Sequence, residues 1–468
     1  MPAAPAGPEP VRAVETTPPG PDPLERPRSI LRAGVLALLV LTPLPFASVH
    51  AGAVLAIEIA SALLGAFALV LFARDAAPLP RPALLVLACA LGIALVGVIQ
   101  LAPLPAPLAA SLGAPGAPAR AAIAPFVPEA APESAPWSLS PADTSDALAR
   151  FVGYVALGLA AAVAFREPRH LAALAVTLVL CGVFQAVYGG GEYLSGSNRI
   201  FGYEKKHYVD CATGTFINRN HFAGYLAAIL PFAFALAARA KASADPKDPF
   251  RARVASWGWI AAAALLFLGI LLSQSRGGLA AALAAVAAYA LLARAGRPSL
   301  RLVLATLAIP AAFLLWRDTR VPLERVADLD QEVVSTSGRA AVWKTSLGVA
   351  ARFPIVGTGL GTFEEAFRSL GSRDVGARYD HAHNDPIQAG VEGGVVSALL
   401  LLSLGTATFS RRSTVRFASL QTAQSATLAS IAAITVHSLV DFGVRIPALA
   451  VLLAVVLAVG NALPNARR

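Results

Sequence analysis

The sequence predicts an all-α polytopic membrane protein of about 12 transmembrane helices with a long, partly helical periplasmic loop. Two observations carry this. Of 468 residues 56% are hydrophobic and only 14% charged, with a mean hydropathy of +0.63, whereas a soluble domain carries roughly one quarter charged residues. The apolar residues also fall in runs of about 20, the length a helix needs to cross a hydrocarbon core about 30 Å thick. The runs do not alternate at period two, which excludes a barrel.

Residues 1 to about 28 are rich in Pro and Ala without apolar periodicity, which predicts a disordered cytoplasmic tail. The first apolar run, Ile30 to Val49, follows Arg26 and Arg28; a cleaved signal peptide is the alternative to a retained helix. Further runs cover about 52–73, 83–102, 147–165, 170–189, 218–238, 257–273, 277–294, 300–316, 387–407, 417–439 and 446–463. With the amino terminus inside, both termini are cytoplasmic. The inward connections then hold Arg74 and Arg81, Arg166 and Arg169, Arg239 to Arg253, Arg294 to Arg301, and Arg411 to Arg416. That is the positive-inside pattern of a bacterial inner membrane protein, and it accounts for most of the +10 net charge without nucleic acid. Cys89, Cys181 and Cys211 give no even framework, so no disulfide is expected.

The outward connections concentrate the polar chemistry. One, 103–146, is long and Pro-rich and reads as a surface loop or lid; the other long one is 317–386. In Ser337-Gly338-Arg339-Ala340-Ala341-Val342-Trp343, a helical reading puts Arg339 and Trp343 on one face. Trp343 then anchors at the interface while Arg339 points into a cavity; the plain alternative is a solvated amphipathic helix. The alternating glycines of Gly357 to Phe363 could cradle a phosphate, though a simple turn is favoured because no strand-turn-helix context surrounds them. His381-Ala382-His383-Asn384-Asp385-Pro386 precedes an apolar run, with Asn384 or Asp385 as its cap and Pro386 in its first turn. An imidazole at such a position can accept the proton of a sugar hydroxyl near neutral pH.

Arg276, in the tight turn Ser273 to Gly278, lies at the rim of the hydrocarbon, where a charge has a partner or a function, or snorkels to lipid phosphate. Asn220 and His221 open one span, and His437, Asp441 and Arg445 close another; these read as walls of one cavity or as interfacial anchors. Two groups could hold a metal: the acid pair Asp328 and Asp330, disfavoured because nucleotide sugars are absent outside the cytoplasm, and His381 with His383 and Asp385.

Together the SQSRGG turn, SGRAAVW, GTGLGTF and HAHNDPIQAGVEGG resemble the O-antigen ligase and O-antigen polymerase superfamily over about residues 215–445. The resemblance implies a transmembrane transferase domain over 29–463, with 317–386 as its catalytic loop. It implies inverting transfer of an undecaprenyl-diphosphate-linked glycan to lipid A-core (ligase) or to a second glycan repeat (polymerase), with no metal or other cofactor. It carries diphosphate binding to Arg276 and Arg339 and activation of the acceptor hydroxyl to His383. Asn384, Asn220, His221, Trp343 and His437 are the expected substrate-binding residues. Pro386 and Ile387 depart from the family's aromatic and Leu, so helix entry differs. Guanidinium suits the role independently, because it stays charged and grips phosphate oxygens bidentately. Ligase is placed just ahead of polymerase. A lipid-linked sugar transporter or flippase is the alternative of another class and would need ionisable residues near the midplane; Glu58 and Glu392 are the clearest. A non-catalytic scaffold ranks below both.

Overall fold

A computed structural model describes residues 23–75, 78–123, 125–126, 133–243, 248–293, 308, 338–371, 379–410 and 418–463. The tail up to residue 22 and the Asp328/Asp330 pair lie outside the described residues, as does the predicted run 300–316 apart from Ala308. Each of the other predicted runs falls on a helix. These are α1 (Glu25–Leu41), α2 (Ala51–Arg74), α3 (Arg81–Leu101), α6 (Pro141–Ala164), α7 (Pro168–Ser195), α8 (Arg219–Ala242), α9 (Pro249–Leu272) and α10 (Arg276–Leu292). After two shorter helices, α11 (Arg339–Arg352) and α12 (Phe363–Leu370), come α13 (Asp385–Phe409), α14 (Ala418–Ser438) and α15 (Pro447–Ala462). The chain is an all-α, multi-pass membrane protein.

Among the described residues seven helices are long and apolar enough to cross a membrane: α2, α3, α6, α7, α8, α9 and α13. The others fall short for physical reasons. α10 and α15 are apolar but have 17 and 16 residues. α14 carries Gln421, Gln424, Ser425, Thr427 and Ser430, of which the last four are buried. It can afford them because it packs inside the bundle against α8, α10 and α15. At the centre stands α8, almost wholly enclosed by α7, α9, α10 and α14, its surface of Ala, Gly and Phe allowing close approach.

Proline in the first turn starts α3, α6, α7, α9, α13 and α15, where its missing N–H costs nothing. α6 begins at Pro141, six residues before its apolar run, because its polar first turn, with Asp143, can lie beyond the hydrocarbon.

α13 is broken at Gly394, which has φ 63° and ψ −164°, a region essentially reserved for glycine. The break frees backbone groups that the segment after α11 satisfies. The N–H groups of Thr358 and Gly359 donate to the carbonyls of Val391 and Glu392 (2.9 and 3.1 Å), and Val395 donates to Pro354 (2.7 Å). Leu360 N–H donates to Gln100 Oε1 (2.9 Å) and Gly361 N–H to Glu392 Oε2 (3.1 Å). The glycine-rich segment therefore spends its N–H groups on protein, as a turn and not as a phosphate cradle. Gly357 is required here, since a Cβ would strike the Glu392 carbonyl. Gly357→Ala or Gly394→Ala should cost about 2 kcal/mol or more, measured as a lower midpoint of thermal unfolding in detergent.

The Pro-rich connection 103–146 holds a two-stranded pair, β1 (Pro103–Pro105) with β2 (Ser134–Pro136), and two short helices, α4 (Ala106–Ser111) and α5 (Ala117–Ile123). Its final arm is fastened to the glycine segment: Trp137 Nε1 donates to the Gly357 carbonyl (2.8 Å) and Leu139 N–H to that of Thr358 (2.9 Å).

Candidate active site

The first turns of α8, α10, α11 and α13 meet at one end of the bundle. Asn218 caps α8 and Ser275 caps α10, their side-chain oxygens accepting from the N–H groups of Asn220 and Gly278 (2.8 and 3.1 Å). Ser275 Oγ also donates to Asn220 Oδ1 (2.8 Å), tying the two helix starts together. Arg276 is the first residue of α10, half-buried. Its neighbour Gly277 faces Val440 and His437, so α10 starts beside the end of α14.

Arg339 is the first residue of α11, and Trp343 follows one turn later. The indole N–H of Trp343 donates to the Ala382 carbonyl (2.9 Å). Trp343 is thus a strut between α11 and the histidine segment. Val342 and Val349 pack with Phe363, Phe367, Ala382 and Val391 in a small core of their own. The result brings Arg339 within electrostatic reach of His437.

Asn384 is the cap of α13: its Oδ1 accepts from Ile387 N–H (3.0 Å) and its Nδ2 donates to the Leu439 carbonyl (2.7 Å). Before it His383 stands at φ 51°, a left-handed conformation for a bulky residue. That turn aims Nδ1 at Asp441 Oδ1, 3.4 Å away. The same oxygen lies 3.6 Å from His221 Nε2 in the first turn of α8. Asp441 is 1% exposed. Burial pushes its carboxyl upward, but the His221 and His383 imidazoles that face it, with His437 beside them, outweigh this and hold it well below the carboxylate range. Asp441 is therefore an anion at neutral pH, shared by two imidazoles. His437, buried, fits beside them because Gly224 leaves room for its ring.

Phe442 is the hub of the aromatic packing. His381 stacks on it with centroids 4.1 Å apart, while His221 and His383 meet it edge-on at 4.7 and 4.9 Å. His381 is held differently. Gln388 Nε2 faces its Nδ1 at 3.2 Å, and burial, then the Arg445 charge, lower its pKa to about 4. The unfolded chain takes that proton near 6.5, so the stability contributed by neutral His381 is full above that value and is lost as pH falls toward 4. We expect the thermal midpoint to fall between pH 6.5 and 4, and His381→Gln to flatten that slope; parallel slopes would contradict this.

The structure does not gather His381, His383 and Asp385 around one point. Their atoms face Gln388, Asp441 and, for Asp385, Arg445 (3.6 Å) and Val444 N–H (3.4 Å). Arg445 also pairs with Glu392 at 3.0 Å, and Glu58 with Arg150 at 3.4 Å. Both acids that a transport role would call on are thus paired.

The structure therefore brings together His221, His383 and His437 around Asp441, with Arg339 and the start of α10 beside them. Asp441 is the residue whose role the sequence hides. Its position in a short loop after a polar helix marks it as accessible, but only the fold shows it meeting His383 from 58 positions away in the chain.

Residues 261–402 match the model of a protein family described as O-antigen ligase. The match includes Arg276, Arg339, Trp343, His383 and Asn384, and leaves Asn220, His221, His437 and Asp441 outside it. No curated protein matches the chain.

Proposed function

From the O-antigen ligase domain at residues 261–402 of a multi-pass membrane protein, we propose that the chain is an inverting glycosyltransferase. It moves an undecaprenyl-diphosphate-linked glycan onto an acceptor at the periplasmic face of the inner membrane, lipid A-core being placed ahead of a second glycan repeat. The observation that carries the reading is the His383–Asp441 pair set among the starts of four helices.

In this reading Asp441 accepts from His383 Nδ1–H, which leaves Nε2 as the base. Nε2 takes the proton of the acceptor hydroxyl as its oxygen attacks the anomeric carbon. The bond from that carbon to the diphosphate oxygen breaks on the opposite face, and its electron pair leaves with the diphosphate. Asp441 stabilises the imidazolium so formed. Arg276 and Arg339 bind the departing diphosphate, whose growing charge is favoured by guanidinium donors and by helix N-termini. The glycosyl–diphosphate bond is itself the activated bond, so no nucleotide is consumed, and the residues named supply acid–base and anion-binding chemistry without a metal. The paired state of Glu58 and Glu392 supports transfer over transport.

The test is a reaction of the purified protein with a defined lipid-linked donor, offered lipid A-core or a second repeat unit. Transfer to lipid A-core supports the ligase reading. Transfer to the repeat alone keeps the chemistry and replaces the acceptor.

A further inference from the structure

The connection between α7 and α8 is firmly anchored and carries a third arginine to the same end of the bundle. It folds into a small hairpin, β3 (Arg199–Ile200) with β4 (Tyr203–Glu204). Lys205, buried, pairs with buried Glu192 at 3.2 Å and donates to the Cys211 carbonyl at 3.0 Å. Gln274, next to the α10 cap, donates from Nε2 to the Asp210 carbonyl at 2.8 Å. Between these anchors Tyr208 adopts φ 55°, a left-handed conformation that a tyrosine holds only when its surroundings impose it. Its ring receives the Arg219 guanidinium 5.5 Å from the centroid.

Arg219 is the first residue of α8, two positions before His221. Among the described residues it pairs with no carboxylate, and its buried Nε has no acceptor. Arg339 likewise pairs with no carboxylate among the described residues. Arg219, Arg339 and Asp441 all act electrostatically on the Tyr208 hydroxyl, which sets two guanidiniums against a single carboxylate at the edge of the site. Several other arginines are neutralised: Arg28 and Arg166 share Asp75, Arg32 meets Glu25, and Arg445 meets Glu392 and Asp385. Partly buried charge left without a counter-ion is costly unless a ligand completes it.

We propose that Arg219, held on the face of Tyr208, is a third guanidinium for the lipid-linked diphosphate, and that with Arg339 it makes the site select a diphosphate over a monophosphate. This rests on the transfer reaction proposed above. Two bidentate arginines can cover the four non-bridging oxygens of the intact donor, and a third donor serves the further terminal oxygen that the released diphosphate carries.

The test measures binding of undecaprenyl diphosphate and undecaprenyl monophosphate to the full-length protein in detergent. Wild type should prefer the diphosphate. Arg219→Gln should lose diphosphate affinity roughly tenfold or more while monophosphate affinity changes little, as expected for loss of charge-assisted hydrogen bonds to one phosphate. Arg219→Lys, which keeps the charge and guards against misfolding, should recover part of it. Tyr208→Phe should bind as wild type and Tyr208→Ala should weaken the diphosphate. Unchanged diphosphate binding in Arg219→Gln, or equal losses for both lipids, would overturn the assignment while leaving the transfer reaction standing. Wild-type protein that binds neither lipid would overturn the donor class itself.

Discussion

A His383→Ala chain should insert, fold and bind a lipid-linked donor as wild type, yet lose glycan transfer by roughly 10²–10⁴-fold, the range for removal of a positioned base. Folding should survive because His383 is about a quarter exposed, its ring meets Phe442 only at the edge, and Asn384 retains the α13 cap. The left-handed turn at His383 costs energy that alanine would also bear. The loss should appear in kcat with the donor KM little changed, because the imidazole acts on the acceptor proton and not on the diphosphate. His383→Gln should be no better, since an amide cannot take the proton. Full transfer by either variant would remove His383 from the chemistry.

The second large effect is expected of Asp441→Asn. The substitution keeps size and one acceptor but removes the anion shared by His383 and His221. An imidazolium forming on His383 would then have no carboxylate behind it, and transfer should fall by about 10²-fold or more. A merely structural Asp441 predicts a loss of folded protein and an unchanged kcat in what remains. The proposed role predicts a folded protein whose kcat is low, because no carboxylate stands behind the imidazolium that forms on His383. Its stability should also respond to acid differently. Wild type loses the Asp441 contribution as pH falls below the ordinary carboxylate range, and Asp441→Asn has none to lose.

How far the sequence reveals this site depends on the range of the interaction involved. Features set by local chemistry are legible. The helices follow from runs of Leu, Ala and Val, the α13 cap from Asn384 ahead of Pro386, and the shared face of Arg339 and Trp343 from a spacing of four. The resemblance across Ser273–Gly278 and His381–Gly394 marks the same end of the bundle that the fold assembles. What long-range pairing decides is hidden. Nothing local in Asp441 says that it meets two histidines, one in α8 and one before α13. Nothing in Gly357–Phe363 says that its N–H groups will fill a break in α13, since the break itself depends on that filling. Trp343 looks like a membrane anchor because tryptophan often is one, and only the docking of α11 turns its N–H inward. α14 is too polar to rank as a span by composition, yet the helices around it accommodate its hydroxyls and amides.

The proposed transfer turns on whether a bond is made. Purified protein in detergent would be given an undecaprenyl-diphosphate-linked glycan and an acceptor, with the lipid product identified by mass and the new linkage by magnetic resonance. We expect undecaprenyl diphosphate released in step with a glycoside of inverted anomeric configuration, and both products formed roughly 10²–10⁴-fold more slowly by His383→Ala. Retention of configuration, or lipid-linked sugar that crosses a vesicle bilayer without any new glycoside, would contradict it.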